Sequence, residues 1–126
     1  MSNDQDLHRD ARDRACEEVA RYFALLAEPM RVKILHAVCA GDRSVGEIVS
    51  AIDATQTNVS RHLAYLHRAG VLRRSKRGNF VIYSVSDPGL LELCRQVCMK
   101  VAGESARLSE PATGLRSLAS DFGRRA

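Results

Sequence analysis

Two sets of side chains in this sequence have chemistry beyond packing. The first is its four cysteines, Cys16, Cys39, Cys94 and Cys98. Thiolates are nucleophiles and soft-metal ligands. Cys94 and Cys98, four positions apart, share a helix face from which a soft ion or arsenite is bridged only with a third donor. Cysteine is also among the residues most often buried as a small hydrophobe, and all four lie at or near apolar helical positions, so inert packing stands beside any sensing role. The second set is Gln56, Thr57, Asn58, Ser60, Arg61 and His62, followed by Arg73, Arg74, Lys76 and Arg77. Amide, hydroxyl and guanidinium groups in the first run suit adenine, thymine and guanine edges in a major groove. The four cations of the second run suit phosphates or an adjacent minor groove, where they position more than they specify.

The charge map supports a polyanionic partner. The net charge is only +4, from 19 Lys and Arg against 15 Asp and Glu. Between Ala54 and Ser86 there is no acid, while Arg61, Arg68, Arg73, Arg74, Lys76 and Arg77 supply +6, which leaves −2 for the rest of the chain. A positive field confined to one third fits double-stranded DNA, because each neutralised phosphate releases condensed counterions. A solvated basic face is the plainer alternative.

These residues need elements to hold them. A length of 126 residues suits one domain, and 45% hydrophobic with 27% charged residues excludes wholesale disorder. No apolar stretch is long enough to cross a bilayer and the start is polar, so a soluble, cytoplasmic protein with reduced thiols and no membrane partner is expected. Apolar spacing predicts a first helix over 9–27, a second opened by Pro29, and a third over 45–52 behind the capping box Ser44-x-x-Glu47. A fourth helix, capped by Thr55 and striped with Val59, Leu63 and Leu66, ends at Gly70. The period then shortens towards two, giving a hairpin with a basic tip at Ser75–Asn79. Asp87-Pro88 opens a last helix to about residue 106. The expected organisation is a flexible 1–8, a domain over 9–106, and a polar, partly disordered tail over 107–126, within which 115–122 has the spacing of a short amphipathic helix. The fold class is mainly α with a small β-hairpin wing: a winged helix-turn-helix whose second short helix enters the major groove.

Leu25-x-Ala27-Glu28-Pro29-Met30-Arg31, Ile34-Leu35, Ser44 to Ile48, Thr57 to Leu63, Gly70-Val71-Leu72 and Gly78 to Tyr83 together resemble the ArsR/SmtB winged-helix repressors of bacteria, over residues 20–101. The resemblance implies a homodimer, paired through its first and last helices, that occupies an inverted-repeat operator and leaves when an inducer binds. Independently, the last helix is apolar on more than one side, through Leu90, Leu91, Leu93, Val97 and Val101, and dimerisation would cover it.

Family inducers differ, and several patterns fail here. The arsenical Cys-x-Cys is replaced by Asp42 to Gly46, and the zinc pattern of the last helix meets Gly89 and Lys100 where histidines are needed. The persulfide-sensing, BigR/SqrR-like branch pairs one cysteine of the second helix with one of the last. Here Cys39 lies about a turn late and Cys98 about a turn early, shifts that compensate if the helices run antiparallel, with Arg95 and Lys100 placed to favour a thiolate at Cys98. A persulfide, polysulfide or oxidant acting covalently on Cys39 and Cys98, with Cys94 beside them, is the expected inducer. Soft-metal or arsenite release through Cys94, Cys98, Cys39 or Cys16 is the runner-up, and no cofactor is otherwise implied. His36, His62 and His67 are expected at the surface or on the DNA side. An enzyme is not expected, since no G-x-S-x-G, H-E-x-x-H, phosphate-cradling loop or carboxylate pair occurs. A thiol enzyme would depend on His36 beside Cys39, and a protein-docking winged helix would leave the basic wing without a role.

Overall fold

The computed structural model describes residues 3–107 and 113–124. The elements run α1 (Asn3–Ala24), α2 (Pro29–Cys39), β1 (Arg43–Ser44), α3 (Val45–Ile52), α4 (Gln56–Arg68), β2 (Leu72–Arg77), β3 (Phe80–Val85), α5 (Pro88–Arg107) and α6 (Thr113–Gly123). This is a winged helix-turn-helix: α3 and α4 joined by a short turn, then the β2–β3 wing.

Local chemistry sets each boundary. The Ser44 hydroxyl accepts from the Glu47 amide at 3.2 Å while the Glu47 carboxylate accepts from the Ser44 amide at 3.0 Å, closing the capping box of α3. Thr55 accepts from the Asn58 amide at 3.2 Å and starts α4. Gly70, with φ 83°, turns the chain out of α4, so that the Val71 amide donates back to the Leu66 carbonyl at 3.2 Å. The wing is tighter than its basic loop suggested. β2 and β3 stay paired from Leu72↔Val85 to Arg77↔Phe80, and only Gly78 and Asn79 turn, with Gly78 at φ 62°. β1 lies along the other edge of β3, giving the order β1-β3-β2. Two residues leave no periodicity, which is why the sequence pattern does not show this strand.

Ile34, Leu35 and Val38 of α2, Ile48 of α3, Val59, Leu63 and Leu66 of α4, and Leu90 and Leu91 of α5 fill one core and are almost fully inaccessible. Each such side chain contributes roughly 1.5–3 kcal/mol of burial. Because α3 and α4 share this core with α2, the recognition helix is held by the same residues that fold the domain.

The two ends depart from expectation. α1 begins at Asn3, within the segment expected to be flexible, and stops at Ala24 rather than 27; Asp4 and Asp6 in its first turn suit the helix dipole. No residue of α1 is buried. At the other end, residues 108–112, 125 and 126 of the expected polar tail lie outside the described residues, and the amphipathic spacing of 115–122 falls within α6, a packed helix. It lies along α5 and reaches α2, with Phe122 fully buried and Ala119 nearly so. An isolated helix of this length is marginal in water. Its order comes from the contacts of Phe122 with the core, which the Ser, Arg and Gly around it conceal in the sequence.

Candidate nucleic-acid interface

Gln56, Thr57, Ser60 and Arg61 are exposed along the first turns of α4, opposite the buried Val59 and Leu63. Asn58 is half-buried, and its Oδ1 accepts from Arg61 Nη2 at 2.6 Å. The pair limits the freedom of a guanidinium able to grip a guanine edge with two donors. Thr55 caps the Asn58 amide, and the positive end of the α4 helix dipole beside it suits a phosphate.

His62 is different. It was expected on the DNA side, but its ring turns inwards, with Nε2 3.4 Å from Glu28 Oε2 and only 12% of the side chain exposed. The three-residue spacing from Val59 places it on the core flank of α4 rather than the open face. His67 is likewise engaged, with Nδ1 3.1 Å from the Leu72 carbonyl.

Arg73, Arg74, Lys76 and Arg77 are all exposed on β2. Strand alternation sends Arg73 and Arg77 to one face of the wing and Arg74 and Lys76 to the other. Arg77 is anchored by Asp42 at 2.9 Å, which orients its guanidinium beside β1, and Arg73 Nη2 lies 3.4 Å from the Val85 carbonyl. Of the four wing cations, Arg77 alone has an ion pair among the described residues.

The cysteines fall into two groups. Cys16 is exposed on α1, whereas Cys39, Cys94 and Cys98 are buried in the common core. Burial, reinforced by Cys98 and Cys39, pushes the Cys94 thiol up to about 12, and burial alone raises Cys98. All three expected sensing positions therefore meet in one region, but Cys94 and Cys98 hold protonated thiols at neutral pH. The expected help for a Cys98 thiolate is absent. Arg95 is committed to Glu92, whose carboxyl it holds down at about 2, and Lys100 to Glu104 at 3.4 Å. Among the described residues no group of three or more His, Cys, Asp or Glu is arranged to hold a metal ion.

α6 brings residues the sequence reading did not connect to the thiols. Cys39 Sγ donates to the His36 carbonyl at 3.0 Å and lies 3.6 Å from the Asp121 carbonyl. His36, expected at the surface or DNA side, sits 2.8 Å from Asp121 Oδ2 and packs edge-on against Phe122, ring centroids 5.9 Å apart. That contact holds the Asp121 carboxyl below its ordinary value. The only signal for it in the sequence is the apolar spacing of Leu115, Leu118, Ala119 and Phe122.

The fold and this polar, basic surface fit a DNA-binding transcriptional regulator. Residues 28–74 match the family described as bacterial regulatory protein, arsR family. The chain is 37% identical over 95 residues to the uncharacterised HTH-type transcriptional regulator Rv0081 of Mycobacterium tuberculosis, covering 72% of this chain and 83% of that one. The crystal structure of Rv0081 superposes with a TM-score of 0.65 over 73% of this chain and 96% of that chain, at 35% identity. The chain is 33% identical over 92 residues to the probable mercury resistance operon repressor of Streptomyces lividans, covering 73% of this chain and 74% of that protein. The repressor BigR of Xylella fastidiosa shares the fold, with a TM-score of 0.57 at 23% identity over 65% of this chain and 84% of its own. The chain belongs to the ArsR family: it is a transcriptional repressor of the ArsR/SmtB type, not an enzyme. No helix among the described residues is long and apolar enough to cross a membrane.

Proposed function

We propose that the chain works as a homodimer that places two α4 helices about 34 Å apart, one duplex turn, on an inverted-repeat operator. The observation that carries this reading is the open face of Gln56, Thr57, Ser60 and Arg61 beside an exposed basic wing, in a region free of acid. The dimer is supported by α1, which has no buried residue and exposes Leu7, Val19 and Phe23, and by Val97, Met99 and Val101 exposed on α5. Apolar side chains on two such helices fit a second copy of the same surface.

The inducer in this proposal is thiol-directed. Cys39, Cys94 and Cys98 share one buried region, so a persulfide, polysulfide or oxidant that links Cys39 to either cysteine of α5 changes how α2 and α5 pack. Such a reagent reacts with an opened form, because burial holds Cys94 and Cys98 protonated. Arsenite or a thiophilic metal is the second reading. As arranged, Cys39, Cys94 and Cys98 do not form a three-donor site, so this reading requires Cys39 to move against α5 as the third soft donor; the mercury-resistance repressor among the relatives supports it.

The test is binding of the reduced protein to a palindromic duplex, selected from randomised DNA, with and without a polysulfide donor, arsenite or Hg(II), following protein mass on the same samples. Release with added sulfur on Cys39 and a cysteine of α5 supports the first reading, and release by arsenite or Hg(II) alone supports the second. Retention under every treatment assigns the buried cysteines to the core.

A further inference from the structure

The signature Glu28-Pro29-Met30-Arg31 does more than begin α2. Glu28 caps the helix, its Oε2 accepting from the Met30 amide at 3.0 Å, and the same oxygen faces His62 Nε2 of α4 at 3.4 Å. Arg31, one turn later, stacks its guanidinium over the Tyr65 ring, 4.3 Å from the centroid. Its nitrogens also donate to the last carbonyls around the end of α1, Nε to Leu25 at 3.0 Å and Nη2 to Ala24 at 2.7 Å.

Glu28 and Arg31 are three apart on α2, and His62 and Tyr65 are three apart on α4. Two polar contacts therefore run between the same pair of helix faces, one turn from each other. The buried stripe of Val59, Leu63 and Leu66 fixes the distance between α4 and the core. An apolar seam resists rolling and sliding weakly, since dispersion contacts have little directional preference. A guanidinium stacked on a ring and a carboxylate facing an imidazole do have one.

We infer that Glu28 and Arg31 are positioning residues: they clamp His62 and Tyr65, set the angle at which α4 presents Gln56, Thr57, Ser60 and Arg61, and tie that angle to the end of α1. Neither residue faces the open surface of α4, so they act on base reading through α4 and not by touching DNA. The inference rests on the proposal that α4 reads DNA. It adds that specificity depends on residues behind the recognition helix. Since Arg31 also holds the end of α1, a change in how that helix is seated reaches α4 through one side chain.

The discriminating measurement is the ratio of affinities for a duplex selected from a randomised library by the wild-type chain and for random-sequence duplex of equal length. Arg31→Met and Tyr65→Leu keep apolar volume and remove the stacked contact. Each is expected to lower the ratio about tenfold, with the double variant close to either single one, because the two residues share one interaction. A defect in folding alone lowers both affinities together and leaves the ratio in place, so thermal unfolding is followed on every variant. If Arg31→Met fails to fold, Glu28→Gln keeps an oxygen for the α2 cap and removes the charge facing His62. About a threefold loss of the ratio is then expected, absent when His62→Gln is already present. An unchanged ratio, or losses that simply multiply in the double variants, overturns the clamp. A wild-type chain that selects no sequence overturns the DNA-reading proposal and the clamp with it.

Discussion

The recognition half, α3 to the wing, and the thiol half, where α2, α5 and α6 meet, use polar chemistry in opposite ways. In the first, the functional side chains are exposed, and short-range devices hold their elements: the Ser44–Glu47 box, the Thr55 cap, and Gly70 and Gly78 at positive φ. In the second, the reactive groups are buried and their environment is assembled from residues about 80 positions apart, with Cys39 Sγ meeting the Asp121 carbonyl at a separation of 82. A DNA-reading surface must be open before its ligand arrives, so exposure costs it nothing. A buried thiol is protected until the structure opens, so its reactivity is governed by local stability more than by intrinsic nucleophilicity.

The largest predicted effect breaks the thiol half. Phe122→Ala empties a fully buried position, with an expected loss of about 3–5 kcal/mol in thermal or denaturant unfolding. Labelling of Cys39, Cys94 and Cys98 should accelerate under conditions where the fold persists, read by mass spectrometry, while Cys16 labels rapidly in both proteins. Equal rates for all four thiols in the wild type would show that α6 does not shield them. On the recognition side, Arg61→Ala should lose about 1–3 kcal/mol of discrimination between the selected duplex and its single-base variants, whereas equal losses on specific and random DNA would deny it a reading role.

Smaller effects sharpen the contrast. Lys76→Ala and Arg77→Ala should weaken binding to every duplex and reduce the salt slope by about one each in a salt titration. Because Asp42 already anchors Arg77, Asp42→Asn should alter the effect of the Arg77 substitution and leave that of Lys76 unchanged. Ser44→Ala should cost about 1 kcal/mol through the lost cap, seen in thermal unfolding.

The least of the effects concerns acid. The His36 hydrogen bond depresses the Asp121 carboxyl, so its contribution is fully present above the ordinary carboxylate range and is lost as pH falls through its lower folded value. Labelling of Cys39 by a pyridyl disulfide, a reagent active in acid, should therefore accelerate below pH about 4 in the wild type. In Asp121→Asn that acid step should be flattened.

The recognition half was legible in the sequence for a physical reason. Caps, positive-φ glycines and apolar stripes act within one or two helical turns, so Ser44, Glu47, Thr55, Val59, Leu63 and Gly70 carry their structural roles in local spacing. The same locality explains the errors. His62 has the residue type of a DNA contact, but its direction depends on Glu28 of another helix. Arg95 and Lys100 look available to Cys98 until their own helix supplies Glu92 and Glu104. The sequence by itself determined a mainly helical winged domain, the basic third of the chain and the residues of the open face of α4. Tertiary structure alone decided that residues 113–123 dock as α6, that three cysteines share one buried region, and that His36 meets Asp121. Those outcomes depend on long-range packing and desolvation, which arise only when segments distant in the chain exclude water together.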